Sequence, residues 1–285
     1  MRRCAALSSI AACFLALPTS AWALEGTLKA IQDRKAFVMG YLKDAFPMSF
    51  EGPNGPDGYS VELCRRVAAE AGRAVGIEQL EIKYVPVTVE NRLDAVASGK
   101  VDIECGTTTA TLSRMQKVDF TNLIFVDGGG LAVKKGSSIR NIASLVDETV
   151  AVVPGTTTEK ALRGAIAEAY VRAKVVEVPD HASGIAAVAA GKVGAYASDT
   201  IILAGYLVKQ PVSAGLDLVK MQFSFEPYAF AVRRGDSDFR VVANRALSRS
   251  YRGKDIAAIF DRWFGAMGKP GDTLVLMYLL NSTPD

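Results

Sequence analysis

The chain has 285 residues, with 33 Lys and Arg against 30 Asp and Glu and a single histidine. So even a balance leaves no electrostatic footprint for nucleic acid or for an anionic membrane surface. One histidine leaves little room for a zinc centre, and the length exceeds a typical single-core domain and suits two lobes.

The N-terminus reads as a secretory signal. Arg2 and Arg3 precede an uncharged run over residues 4–17, and Ala21-Trp22-Ala23 supplies the small-x-small pattern a signal peptidase needs, so residues 1–23 are expected to be removed. The run falls short of the ~20 apolar residues that span a bilayer. A lipobox-like Ile10-Ala11-Ala12-Cys13 is the alternative, but residues 14–17 stay apolar where a lipoprotein turns polar. Residues 24–285 keep 31 basic against 30 acidic side chains. Cys64 and Cys105 are then the remaining cysteines, in a compartment where a disulfide can form, while two buried free thiols are the default for cysteines packing as small hydrophobes.

Ala36-Phe37-Val38-Met39-Gly40 predicts a buried strand, and a Pro- and Gly-rich loop follows from Pro47 to Gly58. Val61, Leu63, Val67 and Ala68 recur at helical spacing, and Ile82-Lys83-Tyr84-Val85 predicts the next strand. This β, loop, α, β order is the grammar of a parallel sheet with crossover helices. Residues 91–106 (NRLDAVASGKVDIECG) and 182–199 (ASGIAAVAAGKVGAYASD) then repeat one unit of short helix, Gly-Lys-Val turn and buried strand. In each copy Gly99 or Gly191 ends the helix, and the strand runs into polar residues: Thr107, Thr108 and Thr109 in the first, Asp199 and Thr200 in the second. Ligands of open α/β sheets sit beyond the carboxyl ends of strands, which places both clusters on a shared cleft.

Gly128-Gly129-Gly130 predicts a first crossover between lobes, and residues 223–231, with Pro227 inside, a second. The helix bearing Ile256, Ile259, Phe260 and Trp263 rejoins the first lobe, and the apolar stretch 274–280 is expected as a buried strand. The domain expectation is a first lobe of residues 24–126 and 229–285 and a second of residues 127–228 that includes the hinge segments.

Enzyme signatures are absent: no GxSxG, no HExxH, no GxGxxG and no P-loop. The positive signals suit recognition of a carboxylate. Gly106-Thr107-Thr108-Thr109 leads toward an expected helix bearing Arg114, and Pro154-Gly155-Thr156-Thr157-Thr158-Glu159 repeats the strand-to-helix design. Helix-start N–H groups, hydroxyls and a guanidinium fork all favour an anion, although Ser or Thr before a helix is also the ordinary cap.

On residues 90–126, 152–162, 179–184 and 196–205 the chain resembles the family 3 solute-binding proteins, and within them the glutamate/aspartate-binding proteins. The resemblance implies a type II periplasmic-binding-protein fold: two α/β lobes, each a mainly parallel sheet flanked by helices, joined by a two-strand hinge. It implies a periplasmic amino-acid-binding subunit of an ABC importer, without catalysis or cofactor, monomeric, and with an inner-membrane permease as partner. It also implies that Arg114 clamps the ligand α-carboxylate with Thr109 and Thr157, that Thr107 and Asp199 receive the α-ammonium, and that Arg92 and His181 line the distal pocket. Two departures stand out. Leu42 replaces the arginine of acidic-ligand binders, with Lys43 beside it as partial compensation, and Val89 replaces a serine. Both put apolar surface where a charged ligand tip would sit, so glutamate specificity does not carry over directly, and the expected ligand is an L-amino acid with either an acidic or a neutral polar side chain. A cyclohexadienyl-dehydratase-like enzyme and a ligand-presenting sensory module are the alternatives; the lack of an evident acid in the distal pocket speaks against the first.

Overall fold

The computed structural model describes residues 24–209, 215–253 and 255–284, so the signal-peptide reading and Cys13 lie outside the described residues. The chain opens with α1 (Gly26–Arg34), β1 (Ala36–Tyr41), β2 (Asp44–Ala45), β3 (Ser49–Gly52), β4 (Gly55–Asp57), α2 (Tyr59–Ala74) and β5 (Glu81–Pro86). It continues through α3 (Arg92–Ala97), β6 (Ile103–Glu104), β7 (Val118–Asp127), β8 (Gly129–Lys134), β9 (Thr149–Val152), α4 (Thr157–Glu168), β10 (Lys174–Glu177), α5 (His181–Ala189) and β11 (Ala195–Asp199). It closes with α6 (Thr200–Lys209), β12 (Leu216–Leu218), β13 (Glu226–Arg233), α7 (Ser237–Arg252), α8 (Asp255–Phe264) and α9 (Asp272–Leu280).

Two five-stranded sheets result, ordered β5-β1-β6-β13-β7 and β10-β9-β11-β8-β12. In each, three strands run parallel and the fourth in order, β13 or β8, runs against its neighbours. The duplicated unit explains the likeness, because its two copies supply the middle strands β6 and β11. Gly99 and Gly191 have φ of +75° and +70°, the left-handed conformation each helix end requires. β1 is buried along nearly its whole length because β5 and β6 cover both its edges while helices cover its faces, which is why it reads as a continuous apolar run.

The first sheet packs on α2 and α7, with Phe37 against Phe239 and Tyr59 against Phe264, all fully buried. A separate cluster around Leu131, Val150, Leu162 and Ala195 forms the core of the second. Each such Leu, Val or Phe contributes about 1.5–3 kcal/mol on leaving water. The chain passes between sheets at Gly128 and again before Glu226. These connections pair as Asp127 with Glu226, which makes the hinge a two-stranded ribbon.

Three expectations are corrected here. The Pro- and Gly-rich segment after β1 is an antiparallel ribbon, β2-β3-β4. Residues 274–280 lie in a helix: Leu274, Met277 and Tyr278 are buried at i, i+3 and i+4, a spacing that a run of continuous apolarity hides. Cys64 and Cys105 are joined in a disulfide, their Cα atoms 6.2 Å apart, because α2 packs its Cys64 face against the end of β6.

Candidate functional site

The three parallel strands of each sheet lead to one cavity of about 650 Å³. β1 runs into Leu42, Lys43 and Asp44, β5 into residues 86–90, and β6 into Thr107; β9 leads to Thr156, Thr157 and Thr158, β10 to Asp180 and His181, and β11 finishes as Ser198 and Asp199. Seven of the nine expected site residues line it: Leu42, Val89, Arg92, Thr107, Thr157, His181 and Asp199.

Thr109 and Arg114 are not among the lining residues; what the structure corrects is the helix expected to bear Arg114. No α-helix follows Thr109; Arg114 sits on a single 3-10 turn, Arg114–Gln116, and its Nη1 donates to the Thr109 carbonyl at 2.9 Å. That bond fixes the guanidinium beside the Thr109 backbone. Burial, and next to it the like charge of Arg92, lower its pKa to about 10, against the pull of Glu104, Glu226 and Asp199. Arg92, the first residue of α3, lines the cavity; it is only 3 % exposed and has a buried Nε lacking a hydrogen-bond partner among the described residues.

Across the cavity, Asp199 accepts the Thr158 hydroxyl on one oxygen and the Tyr228 hydroxyl on the other. Removal from water, and then the neighbouring Glu226 carboxylate, raise its pKa. His181 opens α5, whose cap is Asp180 accepting from Ser183 N at 2.7 Å; its Nδ1 lies 2.7 Å from the Tyr196 hydroxyl and 3.2 Å from that of Ser198. The lobes meet at the mouth as well: His181 N donates to Asp44 Oδ2 at 2.9 Å and the Tyr206 hydroxyl to the Asp44 carbonyl at 2.9 Å. Val89 faces Gly155 across the same gap.

Sequence reasoning missed several acids. Asp44, Glu90 and Asp180 line the cavity, so the argument that its distal part lacks an acid falls. Glu104 is buried behind the wall, accepting from Thr108 at 2.7 Å, with its pKa raised chiefly by desolvation. At the hinge lie Asp127 and Glu226, whose only sequence signal was their place in the two crossovers.

Asp127 accepts from Ile201 N at 2.8 Å, yet desolvation first and Asp199 second push its pKa to about 8. An unfolded aspartate titrates near ~4. Between these values the folded chain holds a proton that the unfolded chain releases, so stability falls as pH rises from about 4 to about 8 and levels off above. Asparagine preserves the acceptor. Asp127→Asn is expected to melt with wild type near pH 4 and above it by a growing margin, reaching about 1–3 kcal/mol at pH 8. A margin that does not change with pH in thermal unfolding would refute this.

The family model for bacterial extracellular solute-binding proteins, family 3, matches residues 37–266. The chain belongs to that family. This solute-binding protein is 31 % identical over 259 residues to the L-glutamate/L-aspartate-binding protein of Pseudomonas aeruginosa, covering 90 % of this chain and 86 % of that one. It is 31 % identical to the glutamate/glutamine/aspartate/asparagine-binding protein of Rhodobacter capsulatus, over 84 % of this chain and 70 % of the other. Among solved structures it is similar to an ancestral amino-acid-binding protein described as a precursor of cyclohexadienyl dehydratase, with a TM-score of 0.73, 28 % identity, and coverage of 84 % of this chain and all of that one.

Proposed function

We propose that this chain is the extracytoplasmic binding subunit of an amino-acid ABC importer, and that it closes its two lobes on one L-amino acid with a neutral polar side chain. The observation that carries the proposal is the convergence of strand ends from both sheets on one cavity, with Arg92 in the wall contributed by the first and Asp199 in the wall contributed by the second. A zwitterion fits that pair of poles: ammonium at Asp199, carboxylate on the guanidinium side, where Arg92 and Arg114 lie close enough to repel one another. With these two charges engaged, the rest of the wall holds Asp44, Glu90 and Asp180 against Lys43, beside apolar Leu42 and Val89. An acidic side chain would meet excess negative charge there, whereas a carboxamide can use donors and acceptors alike.

The mechanism is hinge closure. The first lobe, residues 24–126 and 229–285, supplies Arg92, Arg114, Thr107 and Thr109; the second, residues 127–228, supplies Thr157, His181 and Asp199. A ligand bridging both stabilises the closed form, which is the shape a permease reads. The protein acts as a monomer at this step, without a cofactor.

Thermal unfolding against the twenty L-amino acids tests the reading. A cognate ligand at about 100 times its dissociation constant adds about 2.7 kcal/mol. Failure of every amino acid to shift the transition would sink the proposal, and glutamate and aspartate outranking all neutral amino acids would sink its second half. The dehydratase-like reading is favoured by one observation, the acids Asp44, Glu90 and Asp180 in the cavity lining, since elimination of water needs a group that delivers a proton to the leaving oxygen. Product formation from prephenate would establish that reading; none is expected.

A further inference from the structure

In the second lobe, α6 lies against the short segment that joins β2 to β3 in the first. Gly205 of α6 is buried, and a Cβ added there would stand 2.7 Å from Pro47 Cδ, 2.8 Å from the Phe46 carbonyl oxygen and 3.0 Å from Phe46 Cδ1. These three nearest atoms all belong to the other lobe, so it is the missing side chain that lets the helix backbone come so close. Tyr206, the next residue, donates its hydroxyl to the Asp44 carbonyl at 2.9 Å. One turn beyond Gly205, Lys209 places its ammonium 4.1 Å from the centre of the Phe46 ring and 4.7 Å from that of Phe50. The two rings meet edge to face with their centres 5.0 Å apart, so one cation is attracted by both. None of Gly205, Tyr206, Lys209, Phe46 and Phe50 is among the residues that line the cavity.

Under hinge closure, a contact between lobes exists only while they are together, so all that it contributes falls on the closed form. A ligand that needs the closed form binds with its intrinsic affinity multiplied by the fraction of protein that is closed. We propose that Gly205, Tyr206 and Lys209 form a clasp on the Phe46–Phe50 segment that sets this fraction, and through it the affinity for every ligand alike, without touching any of them. The proposal rests on the amino-acid reading given above. It separates two tasks: the cavity residues choose the solute, and the clasp sets how firmly any chosen solute is kept. Gly205 is the most sensitive point, because a methyl group there has to displace the Phe46 backbone and not merely the end of a flexible side chain.

Gly205→Ala tests this, because its effects on the second lobe and on closure have opposite signs. Alanine is the better helix former, so α6 itself is strengthened, while the added methyl holds the Phe46 backbone away. Each L-amino acid that shifts the unfolding of wild type is expected to bind G205A about tenfold or more weakly in calorimetry. The factor is expected to agree to within about twofold from one amino acid to the next, since none of them meets the clasp. Lys209→Ala is expected to lose about threefold in the same uniform way, and Lys209→Arg, which keeps a cation over the rings, to bind as wild type does. In the G205A background, K209A is expected to cost nothing further, as for two groups serving one contact. Affinity within about twofold of wild type in folded G205A would overturn the proposal. So would losses that differ more than about fivefold between amino acids, which would make these residues part of recognition. If G205A does not fold, K209A binding as tightly as K209R overturns it. Wild type that binds no amino acid would instead sink the amino-acid reading, and the clasp would fall with it.

Discussion

Asp199→Asn is expected to weaken amino-acid binding about 30-fold to 1,000-fold, or roughly 2–4 kcal/mol, the usual loss when one partner of an enclosed charge pair is neutralised. The same change is expected to leave the ligand-free protein as stable as wild type or more stable near neutral pH. The two effects have opposite signs for one reason. Asp199 shares its surroundings with Glu226, and its raised pKa means that keeping it ionised there costs free energy. An arriving ammonium offsets that cost, and asparagine removes it at the outset, its Oδ1 still accepting from one of the Thr158 and Tyr228 hydroxyls while its amide N–H donates to the oxygen of the other. Linkage gives the pH dependence: the ionised form carries its penalty above the normal carboxylate range, so the stability advantage of the variant grows as pH rises and vanishes in acid. Isothermal titration calorimetry and thermal unfolding on one sample set separate the two. Loss of stability equal to the loss of affinity would mark Asp199 as a structural residue and not a ligand contact.

Removal of the disulfide by Cys64→Ala with Cys105→Ala is expected to cost about 2–4 kcal/mol, which is roughly 5–15 °C in melting temperature for a chain of this size. The bond closes a loop with a sequence separation of 41 residues, so most of the loss comes from the greater freedom of the unfolded chain. It also anchors the segment that enters the cavity, because Cys105 is followed by Gly106 and then by Thr107 of the wall. Gly106 itself leaves no room for adjustment: a Cβ there would stand 2.1 Å from Glu104 Oε1 and 2.8 Å from Leu42 Cδ1. A weaker ligand affinity should accompany the lower melting temperature. An unchanged transition, with thiol titration verifying the wild-type bond, would contradict the pairing's contribution.

Arg92 and Arg114 illustrate what is and is not readable before folding. Both were identifiable as guanidiniums near strand ends, but the burial of Arg92 at the start of α3 and the bond of Arg114 to the Thr109 carbonyl depend on packing that no local pattern shows. The acids went unnoticed for a related reason. Glu226 stands 117 residues from Thr109 and 69 from Thr157, so no local pattern could link them.

The first buried strand, the helix and strand that follow it, the two left-handed glycine turns, the duplicated unit and the placement of polar residues just past strand ends were all decided by the amino-acid sequence alone. These follow from side-chain periodicity and backbone conformation, which act over a few residues. The cysteine pairing, the helical form of α9, the choice of Arg92 for the wall and the gathering of Asp127, Asp199 and Glu226 at the hinge were decided only by tertiary structure. Each depends on which distant surfaces come to exclude water together, and that is a property of the packed chain and not of any segment within it.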